Sequence, residues 1–250
     1  MNVLELKNVS KVFSIDMGDF LVLEDINFNI RENEIVGIVG PSGSGKTTIL
    51  NLISGILKPS KGEIIVNGKM GYMFQKDLLF EWRTIWKNLT IGLEINKMNT
   101  KEEQNKIIER LKRYGLYDYV NNFPSELSGG MRQRIALIRT LSTNPSILLL
   151  DEPFSALDYQ TRINIANDIY QNLKTEKLTS VLVTHDISEA ISMCDRIIVL
   201  STRPAKVKKE IILEFDSSLN PIERRKDPQF QKYFDEVWCL INENQEWLLY

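Results

Sequence analysis

The sequence predicts an α/β fold with a mainly parallel sheet, on three observations. Four short apolar runs each end on a residue with chemical capability, a glycine-rich loop joins one run to an apolar helical segment, and helical periodicity separates the runs. The runs are 35–39 before Gly40, 70–74 before Gln75, 147–150 before Asp151 and Glu152, and 181–184 before His185. Uninterrupted apolar runs of this length suit strands buried on both faces. Ligands gather at the carboxyl ends of such strands, so all four groups are expected on one edge of one sheet.

At the front, 4–9 and 21–30 alternate apolar and polar residues and predict half-exposed antiparallel strands, with 14–20 as a long loop between them. A helix is expected over 49–56. Between Gln75 and Asp151 the pattern turns helical, with a capping box from Thr100 and Glu103, an apolar face of Ile107, Ile108 and Leu111, and Gly115 as the stop. Ile163, Ala166, Ile169 and Leu173 mark an amphipathic helix before the strand at Val181. Near the end, Asp227 caps and Pro228 opens a helix whose stripe of Phe230, Phe234, Val237, Trp238 and Ile241 is expected to pack onto the main domain. The organisation expected is a domain over 1–225, with a helical subdomain at about 76–142, and a helical tail over 226–250.

With 250 residues, 43% of them hydrophobic, the chain suits one sizeable globular domain. A net charge of −2 lacks the basic footprint of a nucleic-acid binder, and the basic clusters at 206–209 and 224–226 read as solvated surface. No run approaches the roughly 18 apolar residues of a membrane span, and the start does not resemble a signal peptide, so a cytosolic chain is expected. Cys194 and Cys239 lack metal-ligand spacing and are expected to stay reduced, as buried or incidental thiols. His185 is the only histidine, which excludes a histidine-rich metal site.

Gly40-Pro41-Ser42-Gly43-Ser44-Gly45-Lys46-Thr47 fits the G-x-x-x-x-G-K-[ST] phosphate loop, with a strand before it and a helix after it. Its backbone N–H groups and the helix start favour phosphate, Lys46 suits the β- and γ-phosphates, and the Thr47 hydroxyl suits Mg²⁺. Asp151 is placed to hold Mg²⁺ through water. If strand geometry persists, the adjacent Glu152 points the other way, which makes it the candidate general base. His185 follows its strand beside Asp186 and is a candidate contact to the γ-phosphate and the attacking water; Gln75 is a candidate contact to Mg²⁺ and water. A second glycine-bearing element, Leu127-Ser128-Gly129-Gly130-Met131-Arg132-Gln133-Arg134, begins a helix capped by Ser128. In a chain with a complete phosphate loop this second anion site is redundant unless it serves another molecule's ATP.

Together the phosphate loop, Gln75, the stretch 127–133, Leu148-Leu149-Leu150-Asp151-Glu152-Pro153, Ser155-Ala156-Leu157-Asp158 and His185 resemble the nucleotide-binding subunit of ATP-binding cassette (ABC) transporters, over about 4–207. The resemblance implies an ATPase with a P-loop (RecA-like) core, an N-terminal antiparallel β subdomain and an α-helical signature subdomain. It implies that ATP meets the loop from Gly40 through Thr47 and Thr48, and that Ser128, Gly129 and Gly130 clamp the ATP of a second copy or of a homologous ATPase subunit. Gln133 and Asp158 join the nucleotide-binding set, with Asp158 coupling the two sites. Phe13 matches the family's adenine-stacking aromatic and equally suits an apolar core position.

Trp82-Arg83-Thr84, Met131-Arg132-Gln133-Arg134, Ser201-Thr202-Arg203-Pro204-Ala205 and the tail look like the nitrate/sulfonate/taurine import group, whose relatives also import bicarbonate or thiamine precursors. Ile138 and Thr140 stand where small residues are usual in the family. The implied partners are membrane permease subunits, met by the segment from Gln75 through about Trp86, and indirectly an extracytoplasmic substrate-binding protein, with no nucleic acid. The implied location is the cytoplasmic face of the membrane. An exporter subunit or a non-transport ABC ATPase is the alternative, although no long coiled-coil insertion or second cassette is present.

Overall fold

The computed structural model describes residues 1–15, 18–155 and 157–242. In chain order its elements are β1 (Asn2–Ile15), β2 (Gly18–Arg31), β3 (Ile35–Val39), α1 (Lys46–Ile53), β4 (Lys61–Val66), β5 (Met70–Met73), α2 (Ile85–Ile95), α3 (Lys101–Arg113), α4 (Gly129–Leu141), β6 (Ile147–Asp151), α5 (Tyr159–Thr175), β7 (Thr179–Val183), α6 (Ile187–Met193), β8 (Arg196–Leu200), β9 (Val207–Ile212), α7 (Pro221–Arg224) and α8 (Pro228–Asn242). The chain divides into two compact units, Met1–Gly68 with Ala166–Tyr250, and Lys69–Ile165.

The first unit holds an antiparallel sheet in the order β2-β1-β4 and the strands β7-β3-β8-β9 of the larger sheet. In β2 the alternation of exposed and buried residues over 25–31 is the period of two that a half-covered sheet requires. The stretch expected as a loop is largely ladder instead: Phe13 pairs with Phe20, Ser14 with Asp19 and Ile15 with Gly18. Cross-strand pairing thus absorbs it, while Asp16 and Met17 lie outside the described residues. β3 pairs parallel with both β7 and β8, and every residue of these three strands is buried. β9 closes the edge antiparallel to β8.

α1 starts earlier than expected, directly after Gly45, and ends earlier because Gly55 adopts a left-handed φ of +78° and stops it, leaving Ile56 outside and 59% exposed. α8 packs on α6 and β8 with Asp227 capping its first turn. Its buried edge is Tyr233 and Val237; the rest of the expected stripe is more exposed, with Phe234 stacked on Trp238 at 6.0 Å. The part of the expected tail beyond 242 lies outside the described residues. Arg224, read from sequence as solvated, is buried. It donates to the Cys194 carbonyl at 2.8 Å and the Tyr170 hydroxyl at 2.9 Å, with its guanidinium over the Tyr170 and Phe215 rings. A planar cation with several donors is suited to that slot.

In the second unit β5 pairs parallel with β6, beside the helices α2, α3 and α4. Only half of the predicted capping box forms at α3. Thr100 accepts from the Glu103 amide, but the Glu103 carboxylate goes to the Lys106 ammonium at 2.7 Å, a stronger partner than a backbone N–H, and to the Asn144 amide at 2.6 Å. The helix ends at Gly115 as expected, with the Leu116 amide reaching back to Leu111 and that of Gly115 to Lys112. Thr140 is accommodated because Gly71 faces it: a Cβ there would lie 2.8 Å from the Thr140 methyl.

Burial raises the Cys194 thiol pKa well above the ordinary range, whereas Cys239 is exposed on α8. In the folded protein a maleimide should label Cys239 within minutes, while Cys194 should react only as the protein unfolds. Peptide mass spectrometry showing equal labelling of both would contradict this packing.

Candidate functional site

In the first unit the phosphate loop runs from the end of β3 into α1. Gly43 and Gly45 take left-handed φ values of +73° and +94°, which a side chain would strain. The loop is seated on its own unit by three close approaches. A Cβ at Gly40 would lie 3.0 Å from the Leu200 Cβ, one at Gly43 3.3 Å from an Arg203 guanidinium nitrogen, and one at Gly45 2.8 Å from a Leu23 methyl. Lys46 is 7% exposed, and its ammonium donates to the carbonyls of Gly40 at 2.9 Å and Pro41 at 3.0 Å. The Ser44 hydroxyl is buried without a hydrogen-bond partner among the described residues. Thr47 and Thr48 occupy the first turn of α1.

His185 is exposed in the turn between β7 and α6. That turn is held by a buried network: Thr184 donates to Glu189 at 2.6 Å, the Asp186 amide donates to the Thr184 hydroxyl, and Asp186 caps α6 through the amides of Ser188 and Glu189. Phe13 is half-buried, with the Lys11 ammonium 4.9 Å from its ring centre.

In the second unit β6 ends at Asp151, and the two carboxylates part company there. Asp151 is buried and accepts from the Tyr72 hydroxyl at 3.3 Å; burial, and then the Asp151 charge, push the Tyr72 pKa up. Strand geometry does not persist into Glu152. Its φ is +45°, so a backbone turn, rather than strand alternation, sends its side chain elsewhere. Glu152 is half-buried and accepts from the Gln75 amide at 3.0 Å, and the same amide also reaches Ser155 at 3.3 Å. Gln75, Asp151 and Glu152 are therefore brought together within this unit.

Ser128 caps α4 by accepting from the Met131 amide. Ser128 and Gly129 are exposed, and a Cβ on Gly129 would meet nothing within 4 Å, whereas one on Gly130 would press on Thr161 and Ile165 at 3.1 Å. Gln133 lies inside the unit at 3% exposure, where its amide donates to the Gln75 carbonyl at 3.3 Å. Asp158 caps α5, and hydrogen bonds from Thr161, side chain first and then backbone, hold its pKa below the usual carboxylate range. Ala156, between Ser155 and Asp158, lies outside the described residues.

The family description "ABC transporter" matches residues 23–155. An uncharacterized ABC transporter ATP-binding protein of Bacillus subtilis, YtlC, is 39% identical over 97% of this chain and 96% of its own. The nitrate import ATP-binding protein NrtD of Synechocystis is 36% identical over 95% and 94%, and the taurine import ATP-binding protein TauB of Roseobacter denitrificans 35% over 98% and 96%. The chain belongs to the ABC transporter family. Among solved structures, the dimeric post-hydrolysis state of the ATP-binding cassette MJ0796 bound to ADP and Pi is 34% identical, covers 85% of this chain and 100% of its own, and superposes with a TM-score of 0.74. The α/β cassette fold and the ATPase class expected from the sequence stand on these likenesses.

The residues of this ABC ATPase fit a nucleoside triphosphate. Two left-handed glycines, a buried lysine and a buried hydroxyl without a partner among the described residues lie in one loop, a set that a polyphosphate would satisfy. Among the described residues no cluster of three His, Cys, Asp or Glu could hold a metal ion by itself.

Two arginines that the sequence marked only as a group motif or not at all have a structural task in this cassette. Arg132 of α4 clamps Asp77 through two bonds of 2.8 and 3.0 Å and Glu81 at 2.6 Å, while Arg139 donates to the carbonyls of Asp77 and Leu78. Their i, i+7 spacing on α4 was the available signal; the partners lie too far along the chain to be inferred. Burial opposes the Asp77 charge, but the Arg132 bonds, the Leu79 amide and the Arg139 charge outweigh it and hold the Asp77 pKa low. A depressed carboxylate contributes stability that is present above its unfolded pKa and lost as pH falls through the folded one. The clamp should therefore be complete at neutral pH and fail only in acid below the usual carboxylate range. Asp77→Asn should cost about 1 kcal/mol of local stability at pH 7, read as faster amide hydrogen exchange over 76–84. Unchanged exchange there would remove the clamp from the account.

Proposed function

We propose that this chain is the ATP-hydrolysing subunit of an ABC importer, working as an ATP-sandwich dimer on a separate permease for a small anion or organic solute of the nitrate, sulfonate, taurine or thiamine-precursor type. The observation that carries the reading is the open start of α4. Ser128 and Gly129 present an exposed helix N-terminus in a chain that already has its own phosphate loop. The likeness to a dimeric cassette and to nitrate and taurine import proteins supports it.

In this reading the amides of 40–48 and the Lys46 ammonium hold the β- and γ-phosphates, and Phe13 stacks on adenine. Thr47, Gln75 and, through water, Asp151 would hold Mg²⁺, which when bound would supply charge neutralisation at the transferred phosphoryl group. Glu152 takes the proton of the attacking water, and the Gln75 amide fixes one carboxylate oxygen so that the carboxylate faces its task in one orientation. His185, presented by the Thr184–Glu189 network, contacts the γ-phosphate. Ser128, Gly129 and Gly130 clamp the ATP of the second copy, and Asp158 couples the two sites. Gln133 belongs to this set as the link between the signature helix and Gln75.

The permease side has support in the second unit. A groove of about 400 Å³ is lined by Phe74, Leu78, Phe80, Ile91, Ile95 and Thr140, and Trp82 beside it is 75% exposed. Asn88 is fully buried and holds the adjoining loop through the Phe80 amide and the carbonyls of Phe80, Arg83 and Thr84. An apolar groove of this kind suits a short amphipathic helix. No helix among the described residues is long and apolar enough to cross a membrane, which fits attachment at the cytoplasmic face through the permease. An external binding protein would then deliver the solute.

Glu152→Gln should bind ATP as the parent does while steady-state hydrolysis falls by a factor on the order of 10² to 10⁴. Sedimentation should show this variant as a monomer alone and a dimer with MgATP. Hydrolysis near the parental rate would reject Glu152 as base, and an unchanged mass with ATP would reject the sandwich.

A further inference from the structure

The loop between β8 and β9 has no part in the function proposed so far, yet it reaches the phosphate loop. Arg203 donates to the Gly43 carbonyl, and its guanidinium lies 4.8 Å from the centre of the Phe20 ring. Phe20 is the register partner of Phe13 across the β1–β2 ladder. Directly opposed residues of an antiparallel pair share a face, so Phe13 and Phe20 lie on the same side of the ladder.

The loop that presents Arg203 is tied at both ends. The Ser201 amide donates to the Lys206 carbonyl, and the Lys206 amide to the Ser201 hydroxyl, each at 2.9 Å. Ala205 bridges to β2: its amide donates to Val22 and its carbonyl accepts from Glu24, again at 2.9 Å each. Val22 and Leu23 are the residues on which Gly45 rests. One strand thus supports the phosphate loop directly at Gly45 and, through Ala205 and Arg203, at Gly43.

We propose that Arg203 is a positioning residue for the nucleotide, bracing the phosphate loop against the hairpin that carries Phe13 and Phe20. The inference rests on the reading of this loop as the ATP site and adds a residue to it. Tying the Gly43 carbonyl down on the outer side keeps this left-handed turn with its amides turned to the ligand. Stacking on Phe20 fixes the guanidinium plane, a task a lysine ammonium does not perform. The phosphate end and the base end of the site are then held at a set separation before ATP arrives.

The test uses the full chain and calorimetric binding of ATP and GTP, with hydrogen exchange at 42–45 in the nucleotide-free protein. Arg203→Ala should weaken both nucleotides by the same factor, about tenfold, and speed exchange at 42–45. Arg203→Lys should recover little of this. Phe20→Ala should have a smaller effect of the same kind, and adding it to Arg203→Ala should change nothing further, because the two act as one unit. Should Arg203→Ala melt well below the parent, Arg203→Gln provides the same comparison with side-chain length kept. Unchanged exchange and affinity would overturn the brace. Full recovery by lysine would make Arg203 a plain charge near phosphate, and a loss confined to ATP would make it a base contact; either overturns the proposal. A parent chain that binds neither nucleotide would sink the ATP-site reading instead, while the exchange comparison would still decide the brace.

Discussion

A phosphate loop must turn its amides toward an anion, which leaves its carbonyls facing its own protein. The rest of the first unit is organised around that constraint. Cationic side chains take these carbonyls: Lys46 holds the buried one of Gly40 and the partly buried one of Pro41, and Arg203 holds that of Gly43 at the surface. The same cations make the site electropositive, so pairing the backbone and attracting phosphate are achieved by one set of groups. Room for the loop is set by neighbours that leave no space for a Cβ at Gly40 or Gly45, and these neighbours belong to β8 and β2. The antiparallel sheet is thus part of the scaffold of the phosphate loop.

The second unit solves a different problem, since the segment after β5 has few apolar anchors of its own: Leu78 and Trp82 are largely exposed. It is held by polar bonds from α4 and α2 instead, through Arg132, Arg139 and Asn88. Such a segment is ordered by directional contacts to two helices. Helix movement is therefore transmitted to it in a way that non-directional apolar packing would not ensure. That is a useful property for a surface proposed to pass work to a permease.

The parts of this chain that were legible in its sequence are those decided locally. The fully buried strands β3, β6 and β7 announce themselves as apolar runs, and the phosphate loop and Ser128 cap lie at element ends where short-range chemistry dominates. What was misread depends on partners distant in sequence. Glu103 abandons its capping box for Lys106 and Asn144, Arg224 leaves the surface for Tyr170, and Ser14, Ile15 and 18–20 join the ladder in which Phe13 meets Phe20. Arg132 finds Asp77 at a separation no periodicity encodes. The paired carboxylates were assigned different surroundings on the wrong ground, since Glu152 leaves the strand altogether.

That departure has its own logic. Two adjacent carboxylates sharing one site would raise each other's pKa and compete for one proton. The left-handed φ of +45° at Glu152 costs on the order of 1 kcal/mol for a non-glycine residue. In exchange it separates a buried Asp151, bonded to Tyr72, from a half-buried Glu152, bonded to Gln75. A metal ligand and a proton acceptor need such different environments, so the strained turn and the proposed division of labour explain each other. Gln75 adds the last step, because its side chain holds Glu152 while its carbonyl takes the Gln133 amide of the signature helix. A displacement of α4 would therefore reach the proposed base through a single residue, and on the proposed function that would tie hydrolysis to the closure of the dimer.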